Sequence, residues 1–154
     1  MSLLYKIDNT DQKILNHLMT NANMPYATIG KKLSVSPGTI HVRMRKMEEA
    51  GIAHPPQLQV DLKKLGWDIT AFIGVYLNKS DQYDAVVREL KKIDEVISCH
   101  YTTGNYSLFL RIVCRDTDHL RRVLHDKLQK IEGINRTETL ISLEESFSRP
   151  LKIN

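Results

Sequence analysis

The residues best suited to recognition chemistry lie in one run, SVSPGTIHVRMRKMEEAG, at positions 34–51. Ile40, Met44 and Met47 fall at i, i+4 and i+7 and make one apolar stripe of a helix. The other side shows Gly38, Thr39, His41, Val42, Arg45 and Lys46, with Arg43 on the flank. Ser36 can cap the first free N–H groups, Pro37 suits the first helical position, and Gly51 can take the left-handed turn that ends the helix. A face that is small at its start and basic further along suits the DNA major groove, where small residues permit close approach and cations reach bases and phosphates. On that reading Thr39, His41 and Val42 face bases. Arg43, Arg45 and Lys46 hold phosphates, Arg45 with a bidentate base contact as its alternative. Taken alone, the pattern fits an amphipathic surface helix with a solvated basic face better, and only the preceding segments change that.

Other chemistry finds little support in these residues. The six histidines, at 17, 41, 54, 100, 119 and 125, lack the spacing of a metal site, and neither a Gly-rich phosphate loop nor a nucleophile elbow is present. No metal, cofactor or catalytic residue is therefore expected. Cys99 and Cys114 both sit in apolar, strand-like runs and read as reduced core residues. The charge is mildly basic, 22 Lys and Arg against 18 Asp and Glu. It is uneven: residues 1–54 carry 7 cations and 4 acids, the remainder 15 and 14. The excess lies in the half that holds the basic helix, a modest argument for a polyanionic partner. Without a signal peptide or a spanning apolar run, the expected location is the cytoplasm, with no membrane partner.

The elements that would position the helix precede it. Asp8 can cap a first helix with Ile14, Leu15 and Leu18 on its apolar side, and Pro25 opens a second with Tyr26, Ile29 and Leu33 at helical spacing. With a tight polar break around Val35, the three helices make a helix-turn-helix whose third member is the recognition helix. Pro55 and Pro56 break regularity, Gln57 to Asp61 alternates weakly as a short strand, and Gly66 closes a polar hinge. From Ile69 the period becomes two. Ile69, Ala71, Ile73, Val75 and Leu77 take one face and Phe72, Gly74 and Tyr76 the other. A helix with Val86, Val87 and Leu90, a strand from Val96 to Thr102, a strand through Leu108, Leu110, Ile112 and Cys114, a helix begun by Thr117 or Asp118, and a strand from Ile134 to Leu143 complete the order βαββαβ. The expected fold class is thus α+β: an N-terminal helix-turn-helix domain at 1–54, a hinge at 55–67, and a ferredoxin-like domain at 68–154. Phe72, Tyr76, Phe109, Val113 and Leu140 leave the second sheet face apolar, which a partner subunit would cover.

At this level of detail the chain resembles the Lrp/AsnC family of bacterial transcription factors, the feast/famine regulators. SPGTIHVRMRKMEEAGI resembles the family's recognition helix. DEVISCHYTTGNYSLFLRIVCR and TETLISL resemble the second half of its effector domain, closest to the asparagine-responsive branch. The resemblance runs from about residue 7 to 148. One departure stands out: Ala53, His54, Pro55 and Pro56 replace the usual Gly-containing strand after the recognition helix.

The resemblance implies a regulator of amino-acid metabolism genes that binds double-stranded DNA at palindromic promoter sites. It implies homodimers joined through the β domain, assembled into larger rings, octamers above all. It further implies a small amino-acid effector, asparagine first, held between dimers beside the loop of Tyr101, Thr102, Thr103, Gly104, Asn105, Tyr106 and Ser107, with Thr137 and Thr139 on the pocket wall. The residues are compatible with this: backbone groups freed around Gly104 and the hydroxyls of Thr102, Thr103 and Ser107 can meet a carboxylate and an ammonium. Without the resemblance, a polar hairpin with Thr as an ordinary β former explains them as well. Two alternatives are an amino-acid sensor acting through its effector domain without DNA, against which the helix-turn-helix argues, and a siroheme-decarboxylase-like enzyme, whose basic and aromatic haem-side motifs are not evident.

Overall fold

A computed structural model describes residues 5–154, so Met1 to Leu4 of the first expected domain lie outside the described residues. Contacts divide the chain into two compact units. One ends at Gln59 and includes Phe147–Asn154; the other is Val60–Ser146. The last eight residues, expected with the second domain, thus cluster with the first. The reason is local: Asn16 bonds both backbone groups of Ile153, and Ile153 packs on the first unit's core.

In the first unit, α1 (Asn9–Thr20), α2 (Tyr26–Leu33) and α3 (Pro37–Glu49) pack around Ile14, Leu15, Ile29, Ile40, Met44 and Met47. Each helix begins and ends by local chemistry. Asp8 accepts from the Asp11 N–H at 2.8 Å while the Asp11 carboxylate accepts from the Asp8 N–H at 3.1 Å, a reciprocal cap. Ser36 caps α3 through the Thr39 N–H at 3.1 Å, and Pro37 takes the first turn. At the other end Gly51 has φ +70°, and the N–H groups of Gly51 and Ile52 bond the carbonyls of Glu48 and Met47. Those two bonds make a Schellman closure that satisfies free helix carbonyls. The turn between α2 and α3 depends on Gly30: a Cβ there would stand 2.5 Å from the Val35 carbonyl oxygen.

Residues 57–61 do not form the expected strand, having no ladder partner among the described residues; Leu58 and Val60 are exposed there. The hinge is a 3-10 turn, Lys63–Leu65, closed by Gly66 at φ +80°.

The second unit contains β1 (Ile69–Leu77), α4 (Tyr83–Leu90), β2 (Val96–Tyr101), β3 (Leu108–Cys114), α5 (Thr117–Arg122) and β4 (Ile134–Ser142). The sheet is antiparallel in the order β2-β3-β1-β4. Ala71, Ile73, Val75, Leu108, Leu110, Ile112 and Cys114 face the helices and pack with Val86, Leu90, Leu120, Val123 and Leu128. α5 starts at Thr117 as expected, with Asp116 capping it through the His119 N–H at 2.7 Å. It then widens to a π turn, Val123–Lys127, and tightens to a 3-10 turn, Leu128–Lys130. Cys114 is buried as expected, and burial pushes its thiol up to about 11. Cys99, by contrast, is exposed because β2 is an edge strand.

A buried carboxylate pins this unit together. Lys127 donates to both oxygens of Glu95 at 2.7 Å, and His119 Nε2 lies 3.0 Å from Oε1. His119 Nδ1 accepts the Arg115 N–H at 3.2 Å, which assigns the ring proton to Nε2. Burial alone would raise the Glu95 pKa, but Lys127, a backbone N–H and His119 outweigh it and hold the group below its ordinary range. A depressed folded-state pKa contributes stability that is fully present above the unfolded value, about 4.3, and is lost as the pH falls through the lower folded value. Thermal midpoints of the second unit should therefore fall more steeply below about pH 4.3 in wild type than in Glu95→Gln. Equal slopes would remove Glu95 from the acid response.

Candidate DNA-binding surface and effector loop

The start of α3 opens into a groove of about 540 Å³ lined by Tyr5, Ser36, Gly38, Thr39, Val42, Arg43 and Lys46. Ser36 and Thr39 share a hydroxyl contact at 2.9 Å. Ser36, Pro37 and Gly38 are exposed, and a Cβ on Gly38 would meet only Ser36 Oγ, at 3.7 Å. The first turn of α3 is thus open to close approach, with the positive end of the helix dipole at its start. Val42 is 42% exposed. His41 is exposed and its ring lies 6.1 Å from that of Tyr26. Lys46 is exposed, and Arg45 is tied only loosely, at 3.7 Å, to Glu49 one turn on.

Arg43, expected among the phosphate contacts, is engaged within its own unit. Its guanidinium donates to Asp8 at 2.7 Å and to Asp11 at 2.8 Å, and the Asp11 carboxylate, buried, also accepts from Tyr5 Oη at 3.0 Å. The two carboxylates hold Arg43 protonated well above the ordinary guanidinium range, with the Asp11 bond the larger cause. The Asp11 N–H, and after it Arg43, keep Asp8 below the usual carboxylate range. A cation neutralised by two acids on α1 is poorly available to a phosphate. Its position joins the recognition helix to the first helix instead. In the sequence Asp8 reads only as a helix cap, and nothing local pairs it or Asp11 with Arg43.

At the other candidate site the loop is held to the sheet. Thr102 Oγ1 donates to the Tyr106 carbonyl at 2.8 Å, the Thr102 N–H donates to the Ser107 carbonyl, and Gly104 takes φ +104°. The Ser107 N–H donates to the Val75 carbonyl at 2.8 Å. Thr103 and Asn105 are exposed, and Tyr101 packs edge-on to Tyr83 with centroids 4.9 Å apart. Thr137 and Thr139 pair with Val75 and Ile73. The loop and the threonine pair therefore flank β1 from opposite sides, roughly 10 Å apart at two strand spacings.

Tyr106 crosses β1 on the sheet face away from the helices. Gly74 makes room for it: a Cβ at Gly74 would stand 2.4 Å from the Tyr106 ring. Tyr106 Oη then donates to Glu138 at 2.8 Å, Tyr76 Oη donates to the same carboxylate at 3.0 Å, and Arg136 lies over the Tyr76 ring at 4.0 Å. These phenol bonds hold Glu138 below the usual carboxylate range and raise the Tyr106 hydroxyl. Gly74, Tyr76, Arg136 and Glu138 were not assigned to a site from the sequence. The one signal was an isolated glycine inside an otherwise β-forming strand, which marks close approach.

A small helix-turn-helix with an open, basic recognition helix, followed by a ferredoxin-like α+β unit with a polar loop at one sheet end, defines a DNA-binding transcriptional regulator with a ligand-binding domain. Comparison with known proteins agrees along the whole length. Residues 7–48 match the AsnC-type helix-turn-helix domain and residues 70–151 the Lrp/AsnC ligand binding domain. The chain belongs to the Lrp/AsnC family. It is 45% identical over 148 residues to the regulatory protein AsnC of Escherichia coli K12, covering 96% of this chain and 97% of that protein. It is 44% identical over 149 residues to the regulatory protein AsnC of Haemophilus influenzae, covering 97% and 99%. The solved structure of E. coli AsnC superposes with a TM-score of 0.92 over 97% of this chain and all of that one. These relatives are regulators rather than enzymes, and this chain is a regulator too.

Proposed function

We propose that this regulator binds palindromic promoter DNA in the cytoplasm as an assembly of dimers, octameric at full size, and that asparagine is its effector. Among the described residues no helix is long and apolar enough to cross a membrane. The observation that carries the effector reading is the polar loop of residues 101–107 held at one end of the sheet. Thr103, Gly104 and Asn105 project there, beside a β1 strand whose far side carries Thr137 and Thr139. Full-length similarity to two proteins named AsnC supports the asparagine branch. Within one chain β1 separates the two groups, and on this reading a second copy completes the pocket. On the DNA side, Ser36, Pro37, Gly38, Thr39, His41 and Val42 make the close approach, and Arg45 and Lys46 hold phosphates. The domain limits that best suit this division of labour are 1–54, 55–67 and 68–146, with 147–154 returning to the first unit.

A site that bonds a carboxamide rejects leucine, since its polar groups would be left unpaired. Titration calorimetry with asparagine, aspartate, glutamine, lysine and leucine tests the reading. Asparagine should give the tightest binding, and Thr103→Val combined with Asn105→Ala should weaken it about tenfold, the worth of one or two hydrogen bonds. Heat from leucine but none from asparagine would defeat the specificity. Unchanged asparagine affinity in the double variant would defeat the location.

A further inference from the structure

We propose that the Asn16 face of α1 is a docking site for the chain's own residues 151–154, and that occupancy of this site sets operator affinity. The proposal rests on the DNA-binding reading above.

The contact reads backbone. Asn16 Nδ2 donates to the Ile153 carbonyl at 2.7 Å, and the Ile153 N–H donates to Asn16 Oδ1 at 2.9 Å. One carboxamide thus satisfies both main-chain groups of one residue, as a neighbouring strand would. The Ile153 side chain packs against the core of the helix-turn-helix and gives the contact its specificity. Asparagine in the middle of a helix is otherwise unfavourable, because its side chain competes with the helical backbone. In α1 that competition is resolved by a partner 137 residues away.

The unit that gains the contact needs it. Among the described residues six buried side chains, with partly buried neighbours such as Leu18 and Leu33, make up its core, and a three-helix unit of that size has little stability to spare. A route from the docking site to the recognition helix is on hand. Asn16 is on α1, Asp11 is on α1 and Asp8 caps it, and those two acids hold Arg43 of α3. Loosening α1 therefore loosens the orientation of α3, and an apparent affinity falls with the fraction of molecules in the competent state. Eight residues separate the end of β4 at Ser142 from residues 151–154. The backbone crosses between the two units a second time at Ser146–Phe147, besides the crossing at Gln59–Val60.

The test compares full-length protein, a chain ending at Pro150, and Asn16→Ala. The readouts are α1 amide exchange, affinity for a duplex selected by the full-length protein, and exchange in β1 and β3 as an internal control. Both variants should exchange α1 amides roughly tenfold faster or more, as expected for two lost hydrogen bonds, with β1 and β3 unchanged. Both should bind the duplex several-fold more weakly. A synthetic peptide of residues 149–154 should restore α1 protection and duplex affinity to the shortened chain, but not to Asn16→Ala. Wild-type α1 exchange in the shortened chain overturns the docking. Faster exchange with unaltered duplex affinity overturns its role in operator binding. Failure of the full-length protein to select any duplex would count against the DNA-binding reading itself, and α1 exchange with and without peptide would still decide the docking.

Discussion

Arg43→Ala will abolish operator binding by loosening the helix-turn-helix, whereas Arg45→Ala and Lys46→Ala will each weaken it while leaving the fold intact. The difference follows from what each cation touches. Arg43 answers the buried Asp11 carboxylate and Asp8 together. Removing it leaves Asp11 with only Tyr5 Oη and the Asp8 N–H, a charge in a small core without a counter-charge. Breaking a buried pair from one side costs about 3–5 kcal/mol, and roughly 2–4 kcal/mol is expected here because Arg43 keeps some contact with water. That is a large fraction of what a unit of this size can hold. Arg45 and Lys46 are exposed, so their loss should cost about 1–3 kcal/mol if a bidentate base contact is removed. If each only holds a phosphate, the log–log salt slope should fall by about one. Exchange of α1 and α3 amides, measured beside duplex affinity, separates the cases. Native-like protection in Arg43→Ala with uniformly weaker binding would restore Arg43 to the phosphate set. Wild-type affinity in Arg45→Ala, Lys46→Ala and their combination would remove both residues from the interface.

Phe109→Asp should dissociate the assembly. Phe109 stacks on Phe72 with centroids 5.8 Å apart and on Tyr106 at 5.9 Å, on the sheet face away from the helices. Phe72, Val113 and Leu140 share that face by register. A second copy on this surface would bury the aromatic row, and an aspartate in its middle would have to lose its water without a partner. That costs several kcal/mol, on the order of a thousandfold in a dissociation constant. Sedimentation should show wild type as a dimer or larger at micromolar concentration and Phe109→Asp as a folded monomer. A monomeric wild type, or a variant that assembles unchanged, would refute the assignment of this face.

Much of this architecture was legible in the amino-acid order. Ile40, Met44 and Met47, spaced for one helix stripe, are buried as that spacing requires, and Ser36, Pro37 and Gly51 act where local chemistry puts them. The alternation from Ile69 to Leu77 separates the two sheet faces correctly, because a strand's side chains alternate whatever it pairs with. Such features depend on neighbours a few residues apart, and a single sequence states those neighbours outright.

What the tertiary structure decided involves partners distant in the chain. Arg43 looked like a phosphate ligand because helical spacing says which face a cation is on, not which acids another helix brings to it. Two residues 32 and 35 positions away pair with it. Gly74 reads as an interruption in a strand until Tyr106 is seen lying over it to reach Glu138. The weak alternation of residues 57–61 has the local signature of a strand but lacks a neighbour among the described residues to complete a ladder, and strand hydrogen bonds, unlike helical ones, are made to other segments. Sequence order alone puts the final residues with the sheet domain. Asn16, 137 positions back, holds them with the other unit, since a side-chain amide selects its partner by geometry and not by distance along the chain.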